Sequence, residues 1–269
     1  MLYLFSMLVL LLLIIIVIFV IYYIIQIREK VPKNVHQIYI QGRDKLPNFV
    51  KDVIEQNKKE NPEYTFMFYD YDDIKKYIYQ NTNEKIIKCF EKINPECYTC
   101  ISDFFRYIIV YNEGGIYLDV KTKINTPLSQ WVMGDKIHIG IWLWHDYTEL
   151  DEYYDIDHKP KGNKKQMLQS VFMFPKRHPL LKGVIDDMCH QINYNKSNDI
   201  LEITGPNMYT KSIAPKLKYY NYSIYEEDGE LYNNNITFDG THGKYYEYMN
   251  NNKLHWSKKK DKVLFQNKF

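Results

Sequence analysis

Between Thr99 and Asp119 the chain commits itself to one local arrangement. Apolar residues recur at helical spacing over 99–112, and Gly114-Gly115 follow, where a helix stops because glycine accepts conformations that other residues avoid. Ile116-Tyr117-Leu118 then reads as a short buried strand closed by Asp119. The same alternation runs along the chain. Strands are expected at 34–40, 64–69, 137–144 and 171–174, and helices at 46–60, from the Asp70–Asp73 cap into the high 70s, at 83–93 and at 179–192. Thr204-Gly205-Pro206 marks a turn into a short helix, and beyond Leu217 the chain is Tyr- and Asn-rich with no assignable pattern. Strands alternating with helices predict an α/β domain built on a mainly parallel sheet.

A second feature divides the chain. No charged residue occurs from Leu2 to Ile27, and 8–21 is unbroken Leu, Ile, Val and Phe. As a helix such a run spans a hydrocarbon core of roughly 30 Å. Tyr22 and Tyr23 sit where an interfacial aromatic belt would, and Arg28, Glu29 and Lys30 close the segment. A cleaved signal peptide would have a basic start, a shorter apolar core and a small-residue cleavage site. The division expected is therefore a transmembrane anchor at 1–30 and one domain at 31–269. Orientation stays open: Arg28, Lys30 and Lys33 favour a cytoplasmic C-terminal flank, whereas sequons at Asn195, Asn221 and Asn235 suit a lumenal domain.

Composition excludes some classes. At 45% hydrophobic and 16% aromatic residues, with 26 tyrosines among 269 residues, the chain has material for a substantial core. A net charge of +2 provides no global field for nucleic acid, so none is expected as a partner. Cys97 and Cys100 form a C-x-x-C pair without a second pair at zinc-finger spacing. They are expected to be packing cysteines, with a local disulfide as the lesser alternative.

The chemistry concentrates around Asp119. In open α/β sheets ligands sit beyond the C-terminal ends of strands, which is where this carboxylate falls. On the preceding helix Asp103 and Arg106 are three residues apart and share a face. On spacing alone, this is either a gathered carboxylate–guanidinium site or a common helical ion pair beside a turn.

The run Ser102-Asp103-Phe104-Phe105-Arg106-Tyr107, followed by Gly114-Gly115-Ile116-Tyr117-Leu118-Asp119, resembles the core of glycosyltransferase family 32, the DXD sugar transferases that include initiating mannosyltransferases and capsular polysaccharide enzymes. The segment from Val31 to Tyr39 is similar to that family's opening strand, and Asn61-Pro62-Glu63-Tyr64 with Asp70 to its next block. The resemblance implies a GT-A fold and retaining transfer of a hexose from a nucleoside-diphosphate sugar to a glycan or lipid acceptor. It implies that Asp103 and Arg106 hold the donor sugar, that His36, Gln37, Ile38 and Tyr39 border the nucleotide, and that Asp119 is the first carboxylate of the D-x-D motif. His36 on its own reads equally as a core strand histidine. The setting implied is a single-pass protein of the Golgi, ER or an equivalent internal membrane.

One position departs from the family. Asp119-Val120-Lys121 lacks the second aspartate, so the Mn²⁺ or Mg²⁺ that the resemblance implies would lose a ligand. Strand alternation would place Lys121 on the same face as Asp119, where its ammonium could stand in for the cation. Asp119 and Lys121 are thus the candidate catalytic pair, with Asp119 and the late His255 as candidate metal ligands. The alternative is a membrane-tethered, non-catalytic nucleotide-sugar- or glycan-binding relative of the same fold. The acidic and His-containing stretch 145–158 reads as a solvated loop, and Trp142 and Trp144, two apart on a strand, as core.

Overall fold

The computed structural model describes residue 7 and residues 10–17, 30–132, 134, 136–144, 164–194, 199–226 and 235–252. Six strands, β1 (Asn34–Ile38), β2 (Thr65–Tyr69), β3 (Gly115–Leu118), β5 (Ile137–Trp144), β6 (Lys164–Phe174) and β7 (Tyr222–Glu226), form one sheet in the order β2-β1-β3-β6-β5-β7. β4 (Lys123–Ile124) and β8 (Ile236–Thr237) pair antiparallel in a separate ribbon. β1 is parallel to β2 and β3, and β5 to β7, while β6 runs antiparallel to both its neighbours. The sheet is therefore mainly parallel, as the alternation predicts. Its one reversed strand brings the interior of β6 beside the C-terminal end of β3: Leu118 is in register with Val171, and Asp119 N–H donates to Ser170 O at 2.9 Å.

The helices are α1 (Asn48–Glu60), α2 (Tyr71–Asn81), α3 (Glu84–Lys92), α4 (Tyr98–Glu113), α5 (Pro179–Tyr194), α6 (Ile200–Ile203), α7 (Pro206–Leu217) and α8 (Lys244–Asn251). Asp70 caps α2, and its side chain and that of Asp73 form a reciprocal capping box. Strand alternation splits the core in two. Tyr117, Phe172 and Phe174 face α2–α5 and α7 in the larger cluster, while Ile116, Leu118, Val171 and Met173 face the β4–β8 ribbon. Next to that ribbon, Tyr39 and Val120 pack on Val50 and Ile54 of α1.

Helix α4 is buried on almost every side, which is why its sequence is apolar beyond a single stripe. It ends where Gly114 and Gly115 take φ of 68° and 108°. A Cβ on Gly114 would lie 2.7 Å from Lys176 N, and one on Gly115 would lie 2.5 Å from Asn34 O. Both the conformation and the close approach to neighbouring chain demand glycine.

Several expectations are corrected. β1 ends at Ile38 rather than residue 40, and β6 begins at Lys164, seven residues before the expected start, because it pairs along β5 as well as β3. The unassigned tail contains β7, β8 and α8; β7 is an edge strand paired only with β5, so no strong apolar run marks it. Cys97 and Cys100 are not merely packed but joined in a disulfide across the first turn of α4, with Cα atoms 5.4 Å apart.

The apolar stretch 2–27 lies for the most part outside the described residues. The part described, 10–17, is helical, with its Leu, Ile and Val side chains exposed. Among the described residues no helix is long and apolar enough to cross a membrane. The acidic stretch 145–158 lies outside the described residues.

Candidate active site

A cleft of about 370 Å³ opens where the chain leaves β1 and β3. Ile38 to Gln41 form one wall, the N-terminal half of α4 supplies Ser102, Asp103 and Arg106, and Tyr117 to Lys121 form the floor. Gln166, Gln169 and Ser170 enter from β6, and Tyr245, Tyr246 and Met249 of α8 stand opposite. This is the crevice beyond strand ends that an open α/β sheet offers a ligand.

The buried pair at its base is Asp103 and Arg106. Arg106 Nη2 lies 2.9 Å from Asp103 Oδ1. Gln169 Nε2 also donates to Oδ1 at 2.9 Å, and Thr204 Oγ1 donates to Oδ2 at 3.1 Å. Arg106 in turn donates from Nη1 to Gln169 O at 2.8 Å and from Nε to Ser102 O at 3.3 Å. Its guanidinium carbon lies 4.6 Å from the centroid of the Tyr117 ring. Complete burial pushes Asp103 up to about 6, although Arg106, Thr204 and Gln169 all favour its charged form. Burial disfavours the Arg106 charge, but Tyr117, Asp103 and Asp119 outweigh it and keep the guanidinium protonated.

Tyr117 links this pair to the strand-end carboxylate, donating from its hydroxyl to Asp119 Oδ1 at 2.7 Å. After Asp119 the strand does not continue. Thr122 N–H returns to Asp119 O at 2.9 Å and closes a turn, so strand alternation cannot be what relates Asp119 to Lys121. The turn nevertheless puts both side chains on the cleft. Two elements hold it. Asn57 of α1 donates to Thr122 O and accepts from Ile124 N–H, both at 2.8 Å, and Gly240 N–H donates to Lys121 O at 2.8 Å. The Lys121 ammonium lies 6.0 Å from the Tyr245 ring centroid.

Of the four residues expected at the nucleotide, Ile38 and Tyr39 line the cleft. His36 and Gln37 are buried within the sheet. His36 Nε2 donates to Gly114 O at 2.9 Å, which fixes the tautomer and leaves Nδ1 to accept from the Tyr69 hydroxyl at 3.2 Å. Burial lowers His36 to about 4 and keeps it neutral. It ties β1 to the turn between α4 and β3. Gln169 and Asn57 escaped the sequence reading, and Thr204 was read only as part of a turn, because each acts across a long separation.

Among the described residues the cleft offers few ligands to a protein-chelated divalent cation. Such an ion requires several oxygen ligands, and here one carboxylate shares the cleft turn with an ammonium. Among the described residues no group of three or more His, Cys, Asp or Glu is placed to hold a metal. His255 lies outside the described residues.

Comparisons with known proteins find similarity to glycosyltransferases. The family described as "Glycosyltransferase sugar-binding region containing DXD motif" matches residues 47–138, about a third of the chain, including Asp103, Arg106, Asp119 and Lys121. An uncharacterized glycosyltransferase of Acanthamoeba polyphaga mimivirus is 24% identical over 188 residues, 70% of this chain and 66% of the relative. The initiation-specific alpha-1,6-mannosyltransferase of Candida albicans is 23% identical over 135 residues, 42% of this chain and 33% of that enzyme. The chain thus spans under two thirds of the viral relative and a third of the Candida one. The solved structure of PaToxG glycosyltransferase superposes with a TM-score of 0.54 at 18% identity, covering 71% of each chain, which shows a shared fold of the expected GT-A type. Over residues 47–138 the chain thus matches the glycosyltransferase sugar-binding region containing a DXD motif, and it is similar to viral and fungal glycosyltransferases.

Proposed function

We propose that the chain is a retaining glycosyltransferase that moves a hexose from a nucleoside-diphosphate sugar to a glycan or lipid acceptor. The observation that carries this reading is the gathering of Asp103, Arg106, Asp119 and Lys121 around one cleft at the strand ends. The nucleotide lies along Ile38 to Gln41, the Asp103–Arg106 pair holds the donor sugar, and Asp119 and Lys121 face the diphosphate.

No side chain here is assigned as a nucleophile. The acceptor hydroxyl oxygen attacks the anomeric carbon on the face the leaving group departs from. The bond from that carbon to the β-phosphate oxygen breaks, and the acceptor proton passes to the departing diphosphate. Charge grows on that diphosphate as the bond breaks, and a positioned cation lowers the barrier most when it meets charge that only then develops. Lys121 supplies that cation, so turnover depends weakly or not at all on Mn²⁺ or Mg²⁺. The exposed Leu, Ile and Val of 10–17, inside the uncharged stretch 2–27, support tethering to a membrane, and the setting proposed is an internal membrane of Golgi or ER type.

The test is donor hydrolysis and transfer by Asp119→Asn and Lys121→Ala beside the parent, with folding checked by circular dichroism. Folded variants without turnover support the enzyme. A folded parent that binds a sugar nucleotide without turning it over would favour a non-catalytic binder.

A further inference from the structure

We infer that Gln169 is the positioning residue of the donor-holding pair: its side-chain amide fixes Asp103 while its backbone carbonyl fixes Arg106, so the guanidinium turns its remaining N–H bonds to the cleft. The inference rests on the proposed transferase reading and adds to it a residue that neither the D-x-D motif nor the helix contains.

The geometry is specific. Gln169 lies on the one reversed strand, where β6 passes the end of β3. The Asp103 carboxylate only accepts, so it takes Gln169 Nε2, and this leaves Oε1 to accept from the Tyr107 hydroxyl at 2.5 Å. The carbonyl of the same residue takes Arg106 Nη1. One residue thus grips both members of the ion pair, and a tyrosine one turn along α4 from Asp103 holds the far end of its amide. Three of the five guanidinium N–H groups are engaged by Asp103, Gln169 and Ser102, and Arg106 itself lines the cleft.

The groups facing Asp103 are Arg106 and Tyr107 from α4, Tyr117 from β3 and Asp119 just beyond it, Gln169 from β6, and Thr204 ahead of α7. Among these, Arg106, Thr204 and Gln169 favour its ionised form, and burial and Asp119 oppose it. Losing the Gln169 side-chain amide would leave the buried carboxylate with one donor fewer, while the backbone carbonyl still holds Arg106 Nη1, so the effect reaches Arg106 through Asp103.

The test uses the full-length protein in detergent with Q169L, Q169E and Y107F. Q169L should raise the donor KM about tenfold and move the acid midpoint of kcat/KM upward. Q169E keeps the shape but puts a second carboxyl against Asp103, and should move that midpoint further. Y107F should shift both in the same direction by less, and Y107F with Q169L should match Q169L alone, because the hydroxyl acts through the amide. A Q169L variant with parental KM and pH profile, reduced only in thermal stability, would overturn the inference, as would multiplicative effects of the two changes. If the folded parent turns over no donor, the transferase reading fails and carbon-13 carboxyl NMR of Asp103 decides the matter. A raised titration midpoint in Q169L upholds the positioning role, and an unchanged one overturns it.

Discussion

Tyr117 touches both halves of the cleft: its hydroxyl donates to Asp119 Oδ1 at 2.7 Å, while its ring lies against the Arg106 guanidinium at 4.6 Å. The strand-end carboxylate and the helix-borne pair are therefore coupled through one side chain. Tyr117→Phe keeps the ring and removes the hydroxyl. It should cost roughly 1.5 kcal/mol of stability, the net worth of a hydrogen bond to a charged group, and lower kcat by about tenfold if the same contact orders Asp119 in the transition state. Steady-state kinetics and a thermal melt check it, and an unchanged kcat would uncouple the two halves.

Lys121 is assigned charge stabilisation that matters only as the donor bond breaks. Lys121→Ala should cost on the order of 10²- to 10³-fold in kcat while the affinity for nucleoside diphosphate falls less. Added Mn²⁺ should restore part of the loss if the lysine occupies the region of a cation. Isothermal titration beside kinetics separates the two effects.

Asp103 is raised to about 6 chiefly by burial. Its folded form therefore binds protons more readily than the unfolded chain, so this group's contribution to stability is greatest below the unfolded carboxylate range and declines as pH rises through about 6. Activity runs the other way, because a protonated Asp103 no longer pairs with Arg106. The kcat/KM profile should have an acid limb centred near 6. An acid limb centred near 4 would place the controlling group elsewhere.

Gly115 has a φ of 108°, and a Cβ there would lie 2.5 Å from Asn34 O. Gly115→Ala should cost at least the roughly 1–3 kcal/mol of a strained conformation, plus the displacement of β1. Denaturant melts should show the loss, and a variant as stable as the parent would mean that this turn is formed differently.

The Cys97–Cys100 bond closes a very short loop, so chain-entropy arguments give it only about 2 kcal/mol of stabilisation. Peptide mapping after alkylation should find Cys89 and Cys189 as free thiols and Cys97 with Cys100 protected until reduction. Alkylation of all four cysteines in the unreduced, denatured protein would contradict this pairing.

What could be read from the sequence was what is local. The α4–Gly114-Gly115–β3 unit is legible because helical period, a stop signal and a strand follow one another within twenty residues. Asp103 and Arg106 share a face for the same reason. Gln169 and Thr204 are invisible to that logic, since they reach Asp103 across 66 and 101 residues through the reversed β6 and the approach to α7. Asn57 looks like one more asparagine in an Asn-rich chain, yet it is buried and holds the segment that follows Asp119. The alternation argument for Lys121 reached the right cleft through the wrong geometry, because a turn, not a strand, follows Asp119. His36 shows the limit of local pattern: its ring is used between β1 and Gly114, while the two residues after Gln37 reach the cleft.

The central claim is tested most directly by hydrolysis of a panel of nucleoside-diphosphate sugars by the full-length protein in detergent, with Mn²⁺, without it, and with chelator. The account predicts turnover of at least one donor that survives chelation and disappears in folded Asp119→Asn. Turnover abolished by chelator would contradict Lys121 as the stand-in cation, and a folded parent inert toward every donor would contradict the transferase itself.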